Sequence, residues 1–100
     1  MTYALVVGGT KEAVDVRLLE WHVQPGATVA PGDLIVELET YKVIVEVRAQ
    51  QGGVLRRIGC KAGEWRKLGD VLGIFSDDAG GALPESSEGL PIWEARFEIA

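Results

Sequence analysis

The candidates for chemistry in this chain are the amine of Lys42, the one imidazole at His22, the one thiol at Cys60, and the carboxylates Glu37, Glu39 and Glu46. The carboxylates could suggest an acid–base pair, but nothing around them in sequence forms a pocket, and a solvated acidic face is the simpler reading. His22 stands beside Trp21 with no carboxylate or cysteine partner near it, so it reads as structural. Cys60 is the single cysteine and forms neither a disulfide framework nor a metal-ligand cluster. It reads as a small buried hydrophobe. Lys42 is distinguished by where the chain puts it.

Leu34 to Arg48 reads as two strands folded back at a tight turn. Leu34, Val36 and Leu38 alternate with Ile35, Glu37 and Glu39; Val43, Val45 and Val47 alternate with Ile44, Glu46 and Arg48. Period-two alternation in β-branched residues marks a half-buried hairpin. With Tyr41 and Lys42 as turn residues, Thr40 faces Val43, Leu38 faces Val45 and Val36 faces Val47. That register gathers the six apolar residues on one face, and a slip of one residue would destroy the match. Lys42 is then expected to project into water above an acidic surface. The turn lacks the Asn-Gly or Asp-Gly pair that backbone preference would select. A solubilising lysine is the bland reading of such a tip; a Tyr-Lys pair kept for a further purpose is the other.

The rest of the chain must hold that hairpin. One hundred residues make one domain, 47% hydrophobic and 25% charged, which is ordinary for a globular protein. A net charge of −5 argues against a nucleic-acid partner, since no basic stripe exists to neutralise phosphates. No apolar run is long enough for a transmembrane helix. The N-terminus enters a strand-like run, Tyr3 to Val7, and acidic residues follow, so neither a signal nor a transit peptide is expected. These features predict a cytosol-like compartment.

In order, strands are expected at Tyr3 to Val7, Ala13 to Val23 (with a bend or bulge), Ala27 to Ala30, the hairpin, Val54 to Cys60, Glu64 to Leu68 and Val71 to Phe75. Gly- and Pro-containing turns separate them. No segment has helical periodicity, and the fold class is all-β. Gly26 and Gly63 are each followed by a Gly-Asp pair, Gly32-Asp33 and Gly69-Asp70, at one constant offset. The same offset carries Val23 onto Cys60, Leu18 onto Leu55 and Leu38 onto Phe75. Two copies of a strand–turn–strand unit predict pseudo-two-fold architecture, a flattened barrel of two four-stranded sheets. Trp65, in the second copy, is expected to be a packing or cover residue.

Residues 1–76 form the expected domain, 77–91 a flexible linker rich in Gly, Ala, Ser, Asp, Glu and Pro, and 92–100 a strand-like segment. Trp93, Ala95, Phe97 and Ile99 alternate with Glu94, Arg96 and Glu98. Left free, this stripe would expose a large apolar surface. An extra C-terminal strand on a sheet edge is therefore expected, in the same molecule or, as the alternative, in a strand-exchanged homodimer.

With these marks in place, Gly26 through Phe75 resembles the biotinyl/lipoyl-type domains, most closely the lipoyl domains of 2-oxo acid dehydrogenase complexes. In those domains a Glu-Thr-Asp-Lys-Ala hairpin presents the lysine that is amide-linked to lipoic acid. Here Glu39-Thr40-Tyr41-Lys42-Val43 stands in that place, with Gly26 and Gly32-Asp33 ahead of it and Gly53-Val54 after. The resemblance covers about residues 3 to 76. Tyr41 stands where an acidic residue is expected, and Gln50 where Pro is common.

The resemblance implies a barrel-sandwich hybrid and a carrier module, not an enzyme by itself. Lys42 would carry lipoic acid as a swinging arm for acyl and electron transfer. Glu39, Thr40, Tyr41, Val43, Gly26 and Gly53 would be read by the modifying ligase or by partners. The implied partners are a lipoate ligase or transferase and the dehydrogenase, acyltransferase and dihydrolipoyl dehydrogenase components, with a bacterial-type cytoplasmic location. No catalytic or metal-binding residue is implied. Two alternatives stay open. One is a biotin carrier, which shares the fold but normally has Met on both sides of its lysine. The other is an unmodified barrel-sandwich domain acting as a scaffold, a reading that Tyr41 favours.

Overall fold

A computed structural model describes residues 1–8, 15–40 and 43–100. Nine strands run through the described residues: β1 (Thr2–Val6), β2 (Asp15–Trp21), β3 (Thr28–Val29), β4 (Leu34–Glu39), β5 (Ile44–Ala49), β6 (Gly53–Ile58), β7 (Trp65–Lys67), β8 (Val71–Ser76) and β9 (Ala95–Ile99). They form a four-stranded sheet in the order β1-β8-β6-β3 and a five-stranded sheet in the order β7-β2-β4-β5-β9. Every strand pair is antiparallel. The all-β class stands, and β9 is the extra strand that turns one four-stranded sheet into five.

The internal repeat is present down to single hydrogen bonds. Gln24-Pro25-Gly26-Ala27 closes a turn through Ala27 N–H to Gln24 O at 2.9 Å, with Gly26 at φ 94°. Its counterpart closes through Glu64 N–H to Lys61 O at 3.0 Å, with Gly63 at φ 89°. Positive φ at the third turn position is why glycine stands there. Each turn then clamps the other half. Gly26 N–H donates to Leu55 O and Gly63 N–H to Leu18 O, both at 2.7 Å. The Gly-Asp pairs repeat as well: Asp33 Oδ2 accepts the Ala30 N–H and Asp70 Oδ2 the Lys67 N–H, both at 2.9 Å. The two repeats are thus interlocked, each turn extending a strand pair with a strand of the other repeat inside one sheet, and the core lies between the two sheets.

Leu5, Leu18, Val36, Leu38, Leu55 and Phe75 are fully buried in that core. Two departures from strict alternation refine the expected pattern. The β4–β5 register shifts between Leu34 and Val36, so Ile35 joins Val36 in the core and Leu34 is left half-buried. A bulge does this by placing two residues opposite one. The second shift, between Leu18 and Glu20, is the bend anticipated in β2. Trp65, expected to cover the core, is 57% exposed on the short edge strand β7. It lies directly across from Arg17 on the outer face, where packing partners are few.

The C-terminal segment docks on its own barrel. Ala4 N–H donates to Pro91 O at 2.9 Å and Trp93 N–H to Ala4 O at 2.8 Å, which covers the free edge of β1. Gln50 N–H then donates to Glu94 O at 3.0 Å, and β9 continues along β5 with Val47 opposite Phe97. Trp93 drops between the sheets, 1% exposed. Its ring stacks on Phe75 at 4.5 Å and meets the edge of Tyr3 at 5.6 Å. Gly53 makes room for it, since a Cβ there would lie 2.5 Å from Trp93 Cη2 and 2.6 Å from Ser76 O.

The connecting stretch 77–91 runs past β6 and is held by arginines. Arg56 donates to Gly80 O at 2.9 Å and Gly81 O at 2.7 Å, and Arg57 to Pro84 O at 3.3 Å. At its start Asp77 takes the N-terminal ammonium at 3.2 Å and the Tyr3 hydroxyl at 3.0 Å. That hydrogen bond, followed by partial burial, pushes the Tyr3 phenol up from its ordinary value.

Candidate functional site

The site is the end of the β4–β5 stem at Thr40 and Val43. Val36 opposite Val47, Leu38 opposite Val45 and Glu39 opposite Ile44 give the anticipated register. Thr40 closes the stem: its N–H donates to Val43 O at 2.9 Å, and its Oγ1 accepts the Val43 N–H at 3.1 Å. A threonine there does what a backbone preference for Asn-Gly would otherwise do, because its hydroxyl ties the two strands together across the turn. Tyr41 and Lys42 lie between Thr40 and Val43 in sequence and outside the described residues.

Glu39 is fixed by Arg17. The guanidinium donates from Nη2 at 2.7 Å and from Nε at 3.1 Å to the same carboxylate oxygen, Oε1. Arg17 and Glu39 are direct cross-strand partners on the outer face. Sequence reading had not picked out Arg17; alternation of Val16, Arg17 and Leu18 placed it outward, but its partner depends on the β2–β4 pairing. With Trp65 opposite Arg17 and Ile44 opposite Glu39, one row crosses the sheet just below the hairpin end.

Glu39, Thr40 and Val43 therefore come together. Gly26 and Gly53 belong elsewhere, on the β3–β6 side of the other sheet, where Gly26 forms a turn and Gly53 is buried against Trp93. The outer face below the hairpin is acidic: Glu20 lies opposite Glu37, Glu37 opposite Glu46, and Glu46 opposite Glu98. His22, expected to lack a carboxylate partner, reaches Glu37 Oε1 with Nε2 at 2.5 Å. The bulge in β2 brings it there, since His22 N–H also donates to Ile35 O at 2.8 Å. Arg48 pairs with Glu46 at 3.2 Å and Arg96 with Glu98 at 2.7 Å, which partly neutralises the row. Cys60 is fully buried, and that burial pushes its thiol up from the ordinary value. Full burial fits the small-hydrophobe reading.

The site is thus a paired β4–β5 stem carried by a two-sheet barrel. The sequence profile of the biotinyl/lipoyl family, described as "Biotin-requiring enzyme", matches residues 7–75. The chain belongs to this family. It is 38% identical over 74 residues to the dihydrolipoyllysine-residue succinyltransferase component of the 2-oxoglutarate dehydrogenase complex of Bacillus subtilis (strain 168), a match covering 74% of this chain and 17% of the relative. The Azotobacter vinelandii protein of the same name is 38% identical over 68 residues, covering 68% of this chain and 16% of the relative. Among solved structures, the lipoyl domain of the 2-oxoglutarate dehydrogenase complex from Azotobacter vinelandii superposes with a TM-score of 0.63 at 30% identity, over 75% of this chain and 98% of that domain.

The chain thus spans less than a fifth of its curated relatives and nearly the whole of a lipoyl domain. The matched segment corresponds to a lipoyl domain. The family match ends at residue 75, so the Trp93 strap and β9 lie beyond it. No helix among the described residues is long and apolar enough to cross a membrane.

Proposed function

We propose that the chain is a lipoyl carrier module in which Lys42 holds lipoic acid in amide linkage. It would serve the dehydrogenase, acyltransferase and dihydrolipoyl dehydrogenase components of a 2-oxo acid dehydrogenase-type system in the cytoplasm. The observation that carries this reading is the hairpin stem: Thr40 and Val43 tie its end, and exactly two residues separate them in sequence, the second being Lys42. When bound, lipoic acid supplies a dithiolane that can be reduced, acylated and reoxidised. The protein's part is tethering. The stem holds the attachment point at the end of a stiff barrel, so the arm meets successive active sites at high local concentration.

Glu39, Thr40, Tyr41 and Val43 form the proposed surface read by a lipoate ligase or transferase and by partner enzymes. Gly26 and Gly53 contribute through the shape of the scaffold, one by its turn and the other by seating Trp93. Biotin is the second reading, kept because the family includes biotin carriers. Tyr41 and Val43 oppose it, since biotin carriers place Met on both sides of the lysine.

Co-expression with a lipoate ligase and lipoate is expected to add one lipoyl group per chain by intact mass. Biotin ligase with biotin is expected to add nothing. A chain that stays unmodified with lipoate, or takes biotin instead, overturns the assignment.

Glu39 can be tested apart from its ion pair. An exposed pair of this kind is worth about 0.2–1 kcal/mol, so Glu39→Ala and Arg17→Ala should both cost that little in urea unfolding. Lipoylation should slow several-fold in Glu39→Ala and stay near the parent rate in Arg17→Ala. Equal rates in Glu39→Ala and the parent would remove Glu39 from the recognition surface.

A further inference from the structure

Sheet edges are where a β protein must protect itself, because each presents unpaired N–H and C=O groups. Among the described residues, three of the four sheet edges are blunted. β3 is two residues long and set between Pro25-Gly26 and Pro31-Gly32. β7 is three residues long and ends in Lys67. β1 is covered by the strap from Pro91 to Trp93. The fourth edge, β9, is five residues long and contains neither Pro nor Lys. Its register against β5 is regular throughout.

The hydrogen bonding of β9 fixes which of its groups are free. Gln50 N–H to Glu94 O and Ala100 N–H to Ile44 O make the even-numbered residues the ones bonded to β5. By that alternation Ala95, Phe97 and Ile99 aim their backbone N–H and C=O away from the sheet. None of these three backbones has a partner among the described residues, where β9 ends the sheet order. Ile99, 67% exposed, stands on this edge.

We propose that this edge pairs antiparallel with β9 of a second copy, around a two-fold axis at Phe97. The sequence Ala95-Arg96-Phe97-Glu98-Ile99 is self-complementary about that axis. Phe97 pairs with Phe97 of the second copy through their outward backbone groups, and Ala95 with Ile99 on either side. Arg96 then stands opposite Glu98 of the second copy in a non-hydrogen-bonded position, where Cα atoms approach to about 4.5 Å and side chains interact most closely. Within one copy the neighbours across β9 are like-charged, Arg48 opposite Arg96 and Glu46 opposite Glu98. Arg96 already pairs along its own strand with Glu98 at 2.7 Å, and the second copy adds the opposite charge directly across the strand pair that β5 does not supply.

Pairing fuses two five-stranded sheets into one. Because the axis reverses strand direction, the two β4–β5 hairpin ends point to opposite sides, and neither obstructs the other's partners. This association is independent of what Lys42 carries. The small contact places it among weak interfaces.

Sedimentation velocity of the intact chain in about 0.15 M salt, where charges farther apart than about 8 Å are screened, tests it. The weight-average mass is expected to rise from one copy toward two between about 10 μM and 1 mM, the range in which weak contacts associate. Arg96→Glu places Glu opposite Glu98 of the second copy while facing Arg48 within its own, so it should abolish the dimer and keep β9 docked. Ile99→Lys, at an exposed position, should do the same, and Arg96→Glu with Glu98→Arg should restore the dimer. A chain that is monomeric at every concentration overturns the proposal. So does a dimer that survives Arg96→Glu and Ile99→Lys, the behaviour of strand exchange, in which β9 still lies on a β5.

Discussion

Trp93→Ala is expected to lower the unfolding free energy by about 3–5 kcal/mol, the range for removing a buried Trp side chain. By the strand pattern of residues 92–100 the ring is one of four stripe residues, beside Ala95, Phe97 and Ile99. In the folded chain the ring is no stripe residue on an edge. It sits between the sheets, stacked on Phe75 and against Tyr3, with Gly53 left bare to admit it. Its removal leaves a cavity that the rigid sheets cannot close, which is why the loss exceeds a transfer term alone.

With urea slopes of about 1–3 kcal/mol per M for small proteins, the midpoint should fall by about 2 M. Ile92→Ala and Ile99→Ala, at positions 56% and 67% exposed, should stay within about 0.5 kcal/mol of the parent. A Trp93→Ala chain that matches those two controls would show that the strap lies on the barrel without being part of its core.

The contrast between Trp93 and the hairpin shows what was legible in the sequence. The hairpin register follows from its own residues, because only one pairing puts Val36, Leu38, Val45 and Val47 on a common face. The repeat was legible for a backbone reason: Gly26, Gly32, Gly63 and Gly69 all need positive φ. Their common spacing therefore recorded common turns. What alternation does not encode is which edge a strand finds. Trp93, Phe97 and Ile99 look equivalent in sequence, yet they are buried, half-buried and exposed.

Bulges were the second obstacle. The extra residue at Ile35 sends it to the core, and the one in β2 carries His22 to Glu37, a pairing that no sequence neighbour announces. Arg17 was missed for a related reason. Its outward side was readable, but Glu39 became its partner only through the β2–β4 register, and that register rests on the barrel closing around both repeats.

Lys42→Ala is expected to abolish lipoylation completely and leave the barrel intact. Four lysines compete for a ligase: Lys11, Lys42, Lys61 and Lys67. Lys61 opens the turn to Glu64 and Lys67 ends β7, both exposed, so exposure alone does not single out the target. The distinction is the stem. Lys42 alone follows a strand whose partner returns directly, with Thr40 and Val43 bonded across the gap. The repeat makes this asymmetry plain, since β8, the counterpart of β4, ends at Ser76 and runs on into the stretch held by Arg56 rather than turning back. The closing bonds belong to Thr40 and Val43, so the variant should stay within about 0.5 kcal/mol of the parent in urea unfolding. Intact mass with lipoate ligase and lipoate, followed by peptide mapping, reads the outcome. The parent should carry one lipoyl group on the peptide containing Lys42 and the variant none. Modification that persists in Lys42→Ala on Lys61 or Lys67 would mean that the ligase selects an exposed amine and not the hairpin.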